Sequence, residues 1–367
     1  TPNPSARGER RWRNVAPGAV QLSYALGNER AYVWARSAAG TRVAVLSLDP
    51  AAIERELADL AGLDAQQAPG KIEQTIARIS VVLLPPTLLP EDSTSVEVVA
   101  EGRIASVPFA GLRSPRNPAL RLIETHAVTM ITSLFAADEA GSKPVRPFRL
   151  VALASGSGKL RSATPTLDPG PRLQAATSEI KAVARLFAAR DSAARIKLFA
   201  GNEGSAEELR NAWSSGADVV HFATHALADL RQPLASLLVL PAETAAGKPT
   251  YLTAGQVQDW RGDADLVFLS ACESAIGPPR FAGGMPGLQS AFLRAGARGV
   301  IATLWPIEDV LARQFSVDFY ERYTGGKSAV QSLVETQRAW LESSAGVSEA
   351  DHARRRITAL AHGFYMQ

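Results

Sequence analysis

The sequence predicts an α/β protein: an α/β/α sandwich on a mostly parallel open sheet, preceded by a β-rich antiparallel N-terminal region. Three observations carry that reading. From residue 148 onward, short β-rich runs alternate with helical patterns, as a parallel sheet with crossover helices requires. Those runs are apolar nearly throughout, the mark of strands buried on both faces. Before residue 141 the β-rich runs instead follow one another with only turn residues between them. The expected division is an N-terminal region over 1–140, a linker over 141–147 (GSKPVRP) and the main α/β domain over 148–367.

In order, QLSYALG (21–27), AYVWARS (31–37) and TRVAVLSL (41–48) are rich in β-branched and aromatic residues. They are separated at Gly27-Asn28 and Ala39-Gly40, which read as turns. Helical periodicity covers about 51–63 and 71–83, and strands are expected in SVEVVAEGRIASVPF (95–109) and IETHAVTMI (123–131). The later strands are RLVALAS (149–155), RIKLFA (195–200), DVVHFAT (218–224), LLVLP (237–241), DLVFLS (265–270) and GVIATLW (299–305). TSEIKAVARLFAA (177–189), SAEELRNAWSS (205–215) and GLQSAFLRAG (287–296) carry apolar residues at three- and four-residue spacing between them. Ser205 and Glu208 form a capping-box pair. Two helical patterns, at 310–323 and 328–341, are expected to close the chain.

Composition narrows the function classes. The 367 residues are 46% hydrophobic and 20% charged, ordinary for a globular chain. Lys plus Arg is 39 against 36 Asp plus Glu, and the resulting +3 is no electrostatic footprint for nucleic acid. One cysteine, Cys272, excludes internal disulfides and multi-cysteine zinc sites. No apolar run reaches the ~20 residues of a membrane span. The opening TPNPSARGERRWRNV lacks the apolar core of a signal peptide, and a cytoplasmic location is expected.

Ligands of open α/β sheets collect beyond the carboxyl ends of the strands. DVVHFAT leads directly into His225, and DLVFLSA leads directly into Cys272, so each is expected just past its strand. A thiolate attacks carbonyl carbon, and a nearby imidazole can take the thiol proton and return one to the leaving amine. His221 lies inside its strand and reads as a core, hydrogen-bonding histidine. ASGSGKL (154–160) lacks the first Gly and the Ser or Thr of a phosphate loop, because Leu153 and Leu160 stand there. Arg354-Arg355-Arg356 and the Arg cluster at 7–13 read as solvated charge. The five histidines show no metal-ligand spacing.

HFATHA (221–226), FLSACESAIG (268–277) and AFLRAGARGVIATLWPIED (291–309) resemble the CHAT-domain proteases, caspase-like cysteine peptidases related to separase. LSYALGNERAYVWA, IASVPFAGLRS, LIETHAVTMITS and RLQAATSEIKAVARLF follow the same pattern in order, so the resemblance covers nearly the whole chain. It implies a caspase-like sandwich with a pseudo-caspase-like N-terminal half, His225 and Cys272 as catalytic pair, and an oxyanion hole from the amides of Ala226 and Cys272. Ala226 stands where the family has Gly, and Ser270 where metacaspases carry an acid. Separase places an acid after a Leu-Trp pair, and Asp309 occupies that place, with Trp305 and Glu308 beside it. Asp309 reads either as a substrate-binding carboxylate for a basic P1 side chain or as a helix N-cap. The segment 278–287 is expected to border the same pocket.

The resemblance further implies a regulated bacterial effector protease that needs no cofactor. Its substrate would be a protein, gasdermin-like by analogy, and its trigger a sensor or helical-repeat partner. A degenerate CHAT domain serving as an interaction module is the alternative. A thioesterase using the same pair is a third reading.

Overall fold

The computed structural model describes residues 12–62, 69–99, 104–105, 107–134, 147–156, 173–229, 232–241, 250–273, 287–342 and 347–366. The first half contains β1 (Ala19–Leu26), β2 (Ala31–Ser37), β3 (Gly40–Val45), α1 (Pro50–Gly62), α2 (Pro69–Leu83), β4 (Ser95–Val99), α3 (Leu122–Thr125) and β5 (Ala127–Ile131). The second half begins with β6 (Arg149–Ala154), α4 (Ala176–Arg190), β7 (Arg195–Phe199), α5 (Ala206–Ser214) and β8 (Val219–Leu227). It continues through β9 (Leu237–Leu240), β10 (Thr250–Thr253), α6 (Ala254–Val257), β11 (Leu266–Glu273), α7 (Leu288–Arg294) and β12 (Gly299–Thr303). The chain closes with α8 (Asp309–Thr324), α9 (Ala329–Leu341), α10 (Glu349–Ala361) and β13 (His362–Met366). The linker expected at 141–147 lies, apart from Pro147, outside the described residues.

The thirteen strands among the described residues belong to one sheet. β6 pairs in parallel with β7 and β8, β8 with β11, and β11 with β12. The β9–β10 hairpin attaches to the last two residues of β8, Ala226 and Leu227. β13 then runs antiparallel to β12 and parallel to β5, so the C-terminal strand joins the two halves. The result is an α/β fold with a mixed, mostly parallel sheet and helices packed on it.

β1, β2 and β3 form the expected antiparallel meander. β4, by contrast, joins β1 in parallel, and β5 joins β4 in parallel. The reason is connection length: α1 and α2 lie between β3 and β4, which is the crossover that a parallel strand needs. Two expected strands are also shorter than read. Among the described residues of 95–109 the strand is Ser95–Val99, 104–105 are 3₁₀, and Phe109–Gly111 is a 3₁₀ turn entered through Pro108; 100–103 and 106 lie outside the described residues. Within 123–131 the first residues are helical, because Glu124 accepts the Arg121 N–H and His126 N–H bonds Leu122 O. The Ser205–Glu208 capping box is present, with Glu208 N donating to Ser205 Oγ at 3.2 Å.

Helices cover both faces of the second half. α4 lies close against the sheet because small residues meet there: Ala176 and Ile180 pack with Ala152, Ala154 and Ala223. Farther along the same face, Phe187 and Tyr320 pack with Leu150, Val219 and Phe268. On the opposite face Phe222 packs with Trp213, Trp260 and Phe292. The turn from α7 to β12 requires glycine at Gly296, where φ is 110° and a Cβ would meet Gly262 O at 1.9 Å.

The strand pairs beside the join hold buried histidines. His362, the first residue of β13, is 2% exposed and stacks on Phe315 at 3.8 Å. Its Nδ1–H donates to Thr358 O at 2.8 Å, and its Nε2 has no hydrogen-bond partner among the described residues. Burial therefore lowers its pKa to about 4. His126, immediately before β5, is also lowered to about 4, by burial first and then by Arg116 and Arg338. Both histidines stay neutral in the fold and take up a proton on unfolding below about pH 6.5. Stability is full above that pH and falls as pH drops toward 4. For His362 the loss should reach about 3 kcal/mol. Urea unfolding at pH 7 and pH 4.5 should show that loss, and His362→Gln should remove a substantial part of the difference.

Candidate active site

The site begins with strand register. Cys272 on β11 is the registered partner of His225 on β8, and Glu273 is that of Ala226. Residues in register on neighbouring strands share a sheet face, and their backbones are about 4.8 Å apart. Both residues lie inside their strands rather than just past them. The parallel ladder continues to Glu273↔Ala226, and the β9 hairpin extends support to Leu227. The pair still sits at the carboxyl edge of two adjacent central strands. His225 is 2% exposed and Ala226 fully buried.

Alternation along β8 puts His221, Ala223 and His225 on the face covered by α4. Register aligns His221 with Ala152 and Phe268, and Ala223 with Ala154 and Ser270. The row before His225 on this face, Ala154, Ala223 and Ser270, is thus made of small residues, and the start of α4 packs on Ala154 and Ala223 through Ala176 and Ile180. Thr303, at the end of β12, donates its hydroxyl to Ala271 O at 3.0 Å and ties β12 to β11 beside Cys272.

His221 is the core, hydrogen-bonding histidine the sequence indicated. Its Nε2 meets Glu179 Oε1 at 3.0 Å, and its Nδ1 meets the Tyr320 hydroxyl at 3.2 Å. Sequence reading missed both partners. The signal was present in α4, where Glu179 occupies the apolar stripe with Ala176, Ile180, Val183 and Phe187.

The turn after β12 brings the remaining predicted residues to this edge. Trp305 is buried in the core, at 2% exposure. Glu308, rather than Asp309, takes the N-cap position of α8, without a side-chain cap bond. The cap alternative for Asp309 is thus displaced by one residue: Asp309 opens the helix, and its Oδ2 accepts the Ala175 N–H at 2.6 Å. That bond links the N-termini of α8 and α4. Glu308 instead pairs with Arg354 at 3.4 Å and borders a cavity of about 300 Å³ between α8 and α10. The arginines of α10 are engaged rather than merely solvated. Arg355 stacks over Trp340, and Arg356 pairs with Glu349 and Glu73. Residues 278–286, 157–160 of the Gly-rich loop and 7–11 of the N-terminal Arg cluster lie outside the described residues. No helix among the described residues is long and apolar enough to cross a membrane.

This architecture defines an α/β protein of the caspase and separase type. The CHAT domain sequence model matches residues 73–357, and the chain belongs to the CHAT-domain family. It is 36% identical over 94 residues to mouse (Mus musculus) tetratricopeptide repeat protein 28, covering 26% of this chain and 4% of that protein. Among solved structures it resembles separase from the Saccharomyces cerevisiae separase–securin complex. The TM-score is 0.58 at 10% identity, over 95% of this chain and 30% of that one. Gingipain R, an Arg-specific cysteine proteinase, superposes more loosely, with a TM-score of 0.43 at 11% identity over 86% of this chain and 75% of that one. The chain thus spans a small part of the mouse protein and less than a third of the separase.

The geometry predicts a local cost at the edge. Thr303→Val strips Ala271 O of its hydroxyl donor while keeping the shape, and should lower stability by about 1 kcal/mol. Chemical denaturation at neutral pH measures it.

Proposed function

We propose that the protein is a cysteine endopeptidase in which Cys272 is the nucleophile and His225 the general base. The observation that supports this is the register pairing of the two residues at the carboxyl edge of adjacent parallel strands. His225 takes the Cys272 thiol proton, and the thiolate attacks the scissile carbonyl carbon. In this reading the amides of Cys272 and Ala226 hold the oxyanion, and the Ala226 N–H, buried and registered between Glu273 and Leu238, leaves the ladder to do so. As the tetrahedral adduct collapses, the C–N bond breaks and His225 gives its proton to the departing amine. The thioester remains on Cys272. Water, deprotonated by His225, attacks the thioester and releases the acid.

In this reading the substrate is a protein with a basic P1 residue that pairs with Asp309, and the context is a regulated bacterial effector. The CHAT family and the fold shared with separase support a protease. The basic P1 residue rests on Asp309 following Leu304-Trp305 on the turn after β12, the strand beside β11, and the bacterial context on the family resemblance alone.

A fluorogenic peptide library varied at P1 tests the activity, with Cys272→Ala as control. Cleavage is expected from wild type alone; cleavage retained by Cys272→Ala rejects the nucleophile, and silence from both favours an interaction module. Asp309→Asn removes the charge while its amide oxygen still accepts the Ala175 N–H. Turnover of Arg substrates should then fall about 30- to 100-fold, the scale of a lost charge pair of ~2–3 kcal/mol. Leu substrates should change little, and equal losses would remove Asp309 from the pocket.

A further inference from the structure

His221 is fully buried, and each of its ring nitrogens is bonded by a different helix. Glu179, in the first turn of α4, is 2% exposed, and Tyr320 of α8 is fully buried. A carboxylate only accepts hydrogen bonds, so His221 Nε2 carries the proton toward Glu179. Nδ1 meets the Tyr320 hydroxyl, which can both donate and accept, at 3.2 Å. Burial pushes the Tyr320 pKa well above its ordinary value, which keeps that hydroxyl protonated and able to donate. The chain Tyr320–His221–Glu179 is internally complete.

Its position is what matters. A buried carboxylate on the apolar stripe of a helix is costly, and an aliphatic side chain there would pack against the sheet without that cost. The bonds it makes fix β8 at His221. Four residues on, on the same face, stands His225, with only Ala223 between them on that face. The same two helices are joined again beyond this row, where Ala175 N–H bonds Asp309. The His221 tie and the Asp309 link therefore connect α4 and α8 at two levels of the sheet, at His221 and at the helix N-termini.

We propose that Glu179 is a positioning residue for the candidate active site, acting through His221 to hold the face of β8 that carries His225. This rests on the Cys272–His225 reading.

The test uses two readouts on the full chain. Peptide turnover gives kcat and KM. The pH dependence of iodoacetamide alkylation reports Cys272 alone, because it is the only cysteine. Glu179→Leu removes the acceptor and should lower kcat about tenfold or more with KM within about twofold, and should shift the alkylation midpoint. Glu179→Gln retains an amide oxygen that can accept the Nε2–H, and should restore most of the turnover. Tyr320→Phe removes the second bond only and should give a smaller loss, which keeps the test available if Glu179→Leu fails to fold. Val96→Ala, a cavity-forming change in β4, serves as a control that lowers Tm elsewhere. The proposal is overturned if Glu179→Leu keeps wild-type kcat and alkylation midpoint, or if Val96→Ala loses turnover equally. A wild-type Cys272 that titrates near 8.5, like a free thiol, would instead reject the dyad reading itself.

Discussion

The parallel register between β8 and β11 is the constraint on which the site depends. Because side chains alternate with a period of two, a one-residue slip would send either member of the Cys–His pair to the opposite face. The register is held from several sides. β8 pairs with β6 along its first half, with the β9 hairpin at its end and with β11 along nearly its whole length. Phe222 and Phe268 fill opposite faces beside it. A slip would have to expose both aromatic clusters at once.

The far half of the molecule reaches this edge through a sequence of strands. β5 pairs with β13, β13 with β12, and β12 leads into the turn that carries Trp305, Glu308 and Asp309. Only Tyr365↔Met130 and Met366↔Ile131 join β13 to β5, whereas five registered pairs join it to β12. The C-terminal strand is therefore anchored mainly in the second half. Gln337 adds to that anchorage by donating to both Ala359 O and His362 O at 2.9 Å, which fixes the passage from α10 into β13.

The alternation of β-rich runs with amphipathic helices was legible because each element carries its own period, and α4, α5, α7, α8 and α9 lie where the spacing placed them. The catalytic candidates were legible because their residue types are rare in this chain. α10, β10 and β13 were not: α10 carries the charged run Arg354-Arg355-Arg356 that reads as solvated surface, and TYLT and HGFYM are too short to show periodicity and become strands only through their neighbours. The parallel pairing of β4 was hidden because parallel and antiparallel strands of the same composition look alike in one dimension. Glu179 was visible as an acid on an apolar stripe, but its partner His221 lies 42 residues away, a pairing that only the fold reveals.

The turn at 304–309 constrains how the proposed pocket could read charge. Its two acids serve different neighbours: Glu308 faces Arg354 across the α8–α10 cavity, while Asp309 is bonded to the entry of α4. Glu308 thus shares Arg354 with Asp351 in an exposed pair. Asp309 has no such cation in that bond. An N–H donor occupies one of about four lone-pair positions on a carboxylate and leaves its charge in place. Of the two, Asp309 is therefore the group suited to a basic side chain. With Oδ2 already bonded, it favours contact through the other oxygen over a symmetric fork across both. Such a site would recognise positive charge more than the planar shape of a guanidinium, and would discriminate Lys from Arg less than a carboxylate open at both oxygens.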